Sequence, residues 1–133
     1  FEVISMPIFK GLIVEDSEVQ RDVLKDLLES DDEIEIIGMA DNGQEAIQLA
    51  AQLQPDFITM DLQMEGMDGL QATRKILKSQ PIPIFVVSAS ENDEVVFKAL
   101  SLGAIEVISK SDMSSDNASH LIQKIKKVLR SEK

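Results

Sequence analysis

The sequence has no cysteine, tryptophan or tyrosine among its 133 residues. Without cysteine it can form neither a disulfide framework nor a thiolate metal site. No apolar run approaches the roughly 20 residues that a membrane-spanning helix needs. Residues 1–10 lack the basic segment and long apolar segment of a secretory signal. The simplest interpretation is therefore a soluble, cytoplasmic protein.

Positive charge is also scarce, since 13 basic residues stand against 24 acidic ones and the formal net charge is −11. Such a balance argues against direct, non-specific binding of nucleic acid. Residues 110–133 are an exception, with six basic side chains against three acidic ones. We expect the last helix to have a solvated basic face there.

Length and composition indicate one globular domain, because 133 residues suffice for a real core and 44% of them are hydrophobic. We expect residues 1–6 to be an N-terminal extension or expression remnant and residues 7–131 to form the domain. Apolar runs alternate with helical patterns along it. The patterns predict strands over 8–14, 34–39, 57–61, 84–87 and 105–108, with helices over 17–28, 46–53, 70–77, 91–102 and 121–129.

Runs that are continuously apolar indicate parallel strands covered on both faces, so we predict a doubly wound α/β domain. Ser17 is expected to cap the first helix. Asp41-Asn42-Gly43 is a turn signal, and Gly103 is expected to stop the fourth helix. The apolar positions of the first helix at near-helical spacing are Val19, Val23, Leu24, Leu27 and Leu28.

Polar residues stand where the predicted strands end. Glu15 and Asp16 follow the first strand, Asp61 ends the third, Ser88 follows the fourth and Lys110 the fifth. The carboxyl ends of parallel strands share one edge of the sheet, so these five side chains should meet there.

Three carboxylates at one edge repel each other unless a hard cation lies among them, and oxygen ligands suit Mg²⁺. The expected ligands are Glu15, Asp16, Asp61 and the backbone carbonyl of Gln63. A carboxylate beside a cation, a lysine and a hydroxyl is a good acceptor for a phosphoryl group, whose transfer depends on positioning and charge neutralisation.

Four segments in order resemble the receiver domain of two-component response regulators: VEDS (14–17), DLQMEGMDG (61–69), VVSAS (86–90) and GAIEVISK (103–110). The resemblance extends from about residue 9 to residue 129. It implies a single (βα)5 flavodoxin-like domain with strand order 2-1-3-4-5.

The resemblance also implies roles. Asp61 would be the phosphoacceptor, Glu15 and Asp16 would hold Mg²⁺, Ser88 would be the switch hydroxyl and Lys110 would pair with the phosphoryl group. The phosphoryl donor would be a histidine kinase or a phosphotransfer protein. Phosphorylation would shift a pre-existing equilibrium and remodel the face of the fourth helix, fifth strand and fifth helix, which would contact a downstream protein or output domain. The chain would be a monomer or a phosphorylation-dependent dimer.

Some positions depart from the family's pattern. Glu65 and Ser111 stand where the family often has proline, the second after a cis bond. Val107 replaces a frequent aromatic residue, so a rotating aromatic ring cannot report phosphorylation here. Gln63 and Ser90 occupy positions at which the family tunes dephosphorylation.

Residues 31–50, 72–90 and 103–110 particularly resemble the receiver half of the chemotaxis methylesterase, a protein-glutamate methylesterase with a catalytic domain after its receiver. Because the sequence ends at Lys133, we expect no esterase and no enzymatic turnover beyond slow autophosphatase activity. Regulators with a DNA-binding output have similar receivers.

Three other functions would require different features. A magnesium-dependent phosphatase of the haloacid dehalogenase kind would need an acid two residues after Asp61, where Gln63 stands. A flavodoxin-type flavin carrier would need a phosphate loop after the first strand and aromatic residues. A degenerate receiver would dock partners without accepting phosphate. We expect His120 to be a surface residue and Met64 and Met67 to pack the loop against the sheet.

Overall fold

The computed structural model describes residues 9–62, 69–88, 93–109 and 118–131, and in these ranges strands and helices alternate as predicted. Among the helices described, none is long and apolar enough to cross a membrane. The elements are β1 (Phe9–Val14), α1 (Glu18–Glu29), β2 (Ile34–Ala40), α2 (Gly43–Leu53), β3 (Phe57–Asp61), α3 (Gly69–Ser79), β4 (Ile84–Ser88), α4 (Asp93–Ser101), β5 (Glu106–Ser109) and α5 (Ala118–Ser131).

The strands form one parallel sheet in the order β2-β1-β3-β4-β5, which confirms the predicted flavodoxin-like topology. The chain steps from β1 outward to β2, returns past β1 to β3, and then continues to the other edge. The carboxyl ends of β1 and β3 are therefore neighbours, at the point where the strand order reverses. This is where open α/β sheets bind their ligands.

Successive residues of each strand point to opposite faces of the sheet, so each strand contributes to two cores. Met60 of β3, for example, faces α2, α3 and α4, whereas Phe57 faces α1 and α5. Helix residues of the first core include Ala46, Ala50, Ala72, Ile76 and Ala99. Helix residues of the second include Leu24, Leu27, Leu28, Leu121, Ile122, Ile125 and Leu129.

The predicted apolar stripe of α1 is wrong at two of its five positions. Leu24, Leu27 and Leu28 are buried, but Val19 is 71% exposed and Val23 is 50% exposed. Each residue turns the helix by about 100°. The two valines therefore lie beside the face defined by the leucines, and point away from the sheet.

Local capping explains where the first two helices begin. The Ser17 hydroxyl accepts a hydrogen bond from the N–H of Gln20, as predicted for a cap. The predicted turn at residues 41–43 is shorter than expected, because Gly43 is already the first residue of α2. The side chain of Asn42 caps that helix by accepting from the N–H of Glu45 at 2.8 Å. At the end of α4, Gly103 adopts φ +110°, a conformation that favours glycine.

The basic face predicted for the last helix is wrong for one of its lysines, since Lys126 is only 6% exposed. Its Nζ donates to Asp31 Oδ2 at 2.9 Å and to Glu33 Oε1 at 2.8 Å. Arg130 also donates to Glu33 Oε1, and its guanidinium lies over the ring of Phe9. This ion-pair cluster fastens α5 to the α1–β2 connection, at the end of the sheet opposite Asp61.

Candidate functional site

Three carboxylates meet at the carboxyl ends of β1 and β3. Glu15, Asp16 and Asp61 each place one carboxylate oxygen within 4.8 Å of the others. Glu15 and Asp61 are buried, and only 2% of the surface of Asp61 is exposed, whereas Asp16 is exposed. The predicted convergence of these three acids is therefore confirmed. Like charges at this separation repel, so the site favours a bound cation.

Glu15 is held by both its backbone and its side chain. Its N–H donates to the carbonyl of Ala40 at 3.0 Å, which extends the β1–β2 pairing by one residue. Its Oε2 accepts from the N–H of Ser17 at 3.1 Å, and its carbonyl accepts from Arg21 Nη1 at 2.9 Å. No sequence motif had pointed to Arg21. Its position one turn into the helix that follows the acids was the available signal.

Asp61 is fixed by its position as the last residue of β3. It lies opposite Val87 of β4, and the N–H of Leu62 donates to the carbonyl of Val87 at 3.2 Å. On the other side, Gly69 of α3 packs against the backbone of Asp61. A Cβ placed on Gly69 would overlap the Asp61 carbonyl oxygen. Gly69 closes the DLQMEGMDG motif that begins at Asp61, but the motif alone does not reveal this contact.

Ser88 is the last residue of β4 and is buried. Since Asp61 lies opposite Val87, Ser88 stands one residue further along the neighbouring strand, at the same edge of the sheet. Its partner in the neighbouring strand β5 is Ser109. The predicted position of Ser88 beside the acids therefore agrees with the strand register.

Two expected site residues, Lys110 and Gln63, lie outside the described residues. The same holds for Glu65, Ser90 and Ser111, where the sequence departs from or varies within the family pattern. Met64 and Met67, which were expected to pack the loop, also lie outside those ranges. β5 ends at Ser109, the residue that precedes Lys110 in the chain.

The donor set fits a small, hard divalent cation. Carboxylate oxygens are the ligands that Mg²⁺ prefers, at about 2.0–2.1 Å in octahedral geometry, so two of its ligand atoms are separated by at most about 4.2 Å. Three oxygens within 4.8 Å of one another thus need only a small contraction to share one ion. Among the described residues, this is the group of acids that could hold a metal.

A sequence profile for the family "Response regulator receiver domain" matches residues 12–126. The chain belongs to this family. Its match covers all five strand–helix units except the first strand residues and the end of α5. The receiver domain is a component of two-component signalling, which confirms the resemblance in the segments around Asp16, Asp61 and Ser88.

Among curated proteins, this receiver chain is 42% identical over 127 residues to protein-glutamate methylesterase/protein-glutamine glutaminase 2 of Carboxydothermus hydrogenoformans. It is 46% identical over 103 residues to the corresponding protein of Methanococcus maripaludis. These matches cover 90% and 76% of the chain, but only 36% and 28% of those relatives. The chain thus spans about a third of the length of the relatives it matches.

Among solved structures, the receiver is similar to the response regulator domain of Thermotoga maritima CheB, with 31% identity and a TM-score of 0.79. That likeness covers 93% of this chain and 95% of the other. A second similar structure is the CheX-CheY-BeF3-Mg+2 complex from Borrelia burgdorferi, at 26% identity and a TM-score of 0.81 over 90% of this chain and 88% of that one. The chemotaxis-related resemblance stated from the sequence is confirmed.

Proposed function

We propose that this receiver domain accepts a phosphoryl group on Asp61 from a histidine kinase or phosphotransfer protein and signals by a change of conformation. The observation that carries the proposal is the convergence of Asp61 with Glu15 and Asp16 within 4.8 Å, one strand away from the Ser88 hydroxyl. Burying a carboxylate at a strand end costs free energy, and a role as the nucleophile in phosphoryl transfer explains why one is buried here.

In the proposed transfer, a carboxylate oxygen of Asp61 attacks the phosphorus of a phosphohistidine. The new O–P bond makes an acyl phosphate while the N–P bond breaks, and the imidazole leaves with the bonding electron pair and takes up a proton. The reaction needs no oxidant or further co-reactant. The neighbouring strands fix the position of the buried Asp61.

The residues proposed to hold Mg²⁺ are Glu15, Asp16, Asp61 and the backbone carbonyl of Gln63. A bound Mg²⁺ would neutralise charge on the transferring phosphoryl oxygens. The hydrogen bonds to Glu15 from Ser17 and Arg21 hold the backbone and carboxylate of that ligand in one orientation. Hydrogen bonds from neighbouring groups commonly hold metal-ligating side chains in position.

Ser88 is proposed to donate to the phosphoryl group and Lys110 to pair with it, which would draw β4 and β5 toward Asp61. The response would reach a partner through α4, β5 and α5. Exposed apolar side chains support this face as a contact surface: Phe97 is 72% exposed, and Leu100 and Ile105 are exposed as well. Large exposed apolar groups often mark protein-binding sites.

We infer further that residues 7–131 are the receiver half of a methylesterase-type chemotaxis regulator. The 42% identity over 127 residues to a protein-glutamate methylesterase supports this inference. Reading the gene downstream of the codon for Lys133 tests it. A methylesterase domain in the same frame supports it, whereas a DNA-binding output domain or a stop codon contradicts it.

The phosphoryl-acceptor proposal is tested with acetyl phosphate and Mg²⁺, followed by intact-protein mass spectrometry. Wild type should gain one phosphoryl group that is labile to hydroxylamine, as an acyl phosphate is. Asp61→Asn should gain none while its circular dichroism stays unchanged, and Asp56→Asn, an exposed acid before β3, serves as the matched control. Phosphorylation of Asp61→Asn at the wild-type rate would refute the assignment.

Two further measurements test the role of Lys110 and distinguish a receiver from a phosphatase. Lys110→Ala should retain Mg²⁺ binding but lose most of the conformational response to beryllofluoride. A phosphatase would turn over a generic phosphate ester many times, whereas a receiver releases only its own phosphoryl group. Multiple turnovers per protein would therefore favour the enzyme.

A further inference from the structure

A second concave site lies on the surface between α3 and α4. Leu70, Gln71 and Arg74 of α3 line one side, and Lys98, Ser101 and Leu102 line the other. Its volume is about 340 Å³, within the usual range of binding sites for small ligands and side-chain clusters. We call these six residues the α3–α4 groove.

The groove has an apolar floor between two cations. Leu70 and Leu102 are half-buried, whereas Arg74 and Lys98 are exposed on opposite rims. Neither cation forms an ion pair with any residue in the described ranges. Lys25, Lys124, Lys126 and Arg130 have carboxylate partners in those ranges, whereas Lys75, Lys78 and Lys127 do not, so the groove is distinguished by its apolar floor between two cations.

Helices α3 and α5 both carry cations and no acid, but three of the four α5 cations have carboxylate partners, whereas no α3 cation has one in the described ranges. α3, with the sequence GLQATRKILKS, carries three cations and no acid. The whole chain has 24 acids against 13 bases. A helix without acids in such a protein leaves a local positive field, which favours a short anionic segment.

The groove is separate from the phosphoryl site but adjoins the exposed apolar residues of α4. Phe97 and Leu100 lie about 100° and 160° around α4 from Lys98, in the same direction, whereas the groove residue Ser101 lies one turn from Phe97. Among the residues lining the groove there is none of the three clustered acids. A partner seated in it would therefore leave the clustered acids accessible while lying beside Phe97.

We propose that the α3–α4 groove docks an acidic segment of a partner protein, with an apolar side chain on Leu70 and Leu102 and carboxylates at Arg74 and Lys98. The apolar floor explains why a peptide fits better than a small free anion. A long polyanion such as nucleic acid would be repelled by a chain whose formal net charge is −11, whereas a short segment meets chiefly the two rim cations.

The test selects short random peptides displayed on phage against the immobilised whole chain. We expect the selected peptides to combine acidic and apolar residues. The affinity of the best synthetic peptide should fall about tenfold or more on Arg74→Glu with Lys98→Glu, because two favourable charge contacts become repulsive. Ser101→Lys, which adds a cation to the rim, should tighten binding.

The matched control is Lys75→Glu with Lys127→Glu, which changes the net charge equally but lies outside the groove. It should reduce affinity less than threefold, and amide chemical-shift changes in the wild-type chain should cluster on α3 and α4. The proposal is overturned if no acidic preference emerges, if both double variants weaken binding equally, or if the shifts map elsewhere. Self-association of the chain that Arg74→Glu with Lys98→Glu abolishes would also overturn it, since the occupant would be a second copy.

Discussion

Gly69 and Asp61 are in backbone contact: a Cβ on Gly69 would overlap the Asp61 carbonyl oxygen and lie 2.8 Å from Cα of Leu62. We expect Gly69→Ala to lower the free energy of unfolding by about 1–3 kcal/mol, the usual effect of forcing atoms into a packed site. Alanine would otherwise gain up to about 1 kcal/mol in a helix, so the sign of the change reports the overlap. Urea unfolding followed by far-ultraviolet circular dichroism measures it.

The control for this variant is Gly38→Ala. A Cβ on Gly38 would approach Leu53 Cδ1 at 2.7 Å, the end of a side chain that can rotate away. We expect a smaller loss there than at Gly69, and phosphoryl acceptance should decline only in Gly69→Ala. Equal losses in both variants would contradict the special role of the Asp61 carbonyl.

The three clustered acids should destabilise the metal-free chain by mutual repulsion. In the presence of EDTA, Asp61→Asn is therefore expected to raise the free energy of unfolding by about 1 kcal/mol or more. Mg²⁺ should then stabilise wild type in proportion to the logarithm of its concentration but stabilise the variant far less. Thermal unfolding with and without Mg²⁺ measures both effects, with Asp22→Asn, an exposed acid of α1, as control. A Mg²⁺ effect of equal size in Asp61→Asn would rule out Asp61 as a ligand.

The ion-pair cluster at the other end of the sheet predicts a pH dependence. Burial would raise the pKa of Asp31, but the hydrogen bond from Lys126 and neighbouring donors and charges outweigh it and lower that pKa. Hydrogen bonds from Lys126 and Arg130 lower the pKa of Glu33. Hydrogen bonds to Glu33 and Asp31 raise the pKa of Lys126.

Carboxylates with lowered pKa values stabilise the fold above their unfolded values, near pH 4, and this stability is lost as the pH falls through their folded values. The contribution of Lys126 is present below its ordinary value near 10.5 and is lost as the pH rises through its raised value. Lys126→Met should thus reduce the free energy of unfolding by a constant amount between about pH 6 and 9, and by less below about pH 4. Lys127→Met, on the exposed face, is the control, and a loss independent of pH down to pH 2 would refute the linkage.

Removing the hydroxyl of Thr59 should leave the free energy of unfolding unchanged or raise it, unlike the loss of Lys126. Thr59 of β3 is buried and its Oγ1 has no hydrogen-bond partner in the described part of the structure. Removing an unpaired buried hydroxyl relieves a desolvation penalty of roughly 1 kcal/mol, so we expect Thr59→Val to be neutral or stabilising in urea unfolding. Ser30→Ala, which loses a 2.6 Å hydrogen bond to the carbonyl of Leu27, should be destabilising. A loss above 1 kcal/mol for Thr59→Val would show that the hydroxyl has a partner.

Most of the fold followed from the sequence because its signals are local. Continuous apolar runs identified buried parallel strands, and the strand ends at Glu15, Asp61 and Ser88 followed from where those runs stop. The capping role of Ser17 depends on a residue three positions away. Such features need no knowledge of tertiary contacts.

The features that the sequence did not reveal depend on contacts between distant segments. Val19 and Val23 match the helical period, but their exposure depends on how α1 is rotated against the sheet. The burial of Lys126 requires Asp31 and Glu33, which precede it by 95 and 93 residues. The closeness of Gly69 to Asp61 depends on how α3 returns over the end of β3.

The cluster of Lys126 and Arg130 with Asp31 and Glu33 also bears on how the protein emerges during synthesis. Asp31 and Glu33 are synthesised early, and Lys126 and Arg130 follow only after more than ninety further residues. Until then the buried leucines of α1 cannot pack against α5, and the ring of Phe9 has no contact with the guanidinium of Arg130. A nascent chain halted before residue 126 therefore lacks these contacts, and we expect the domain to complete its fold only after α5 has emerged.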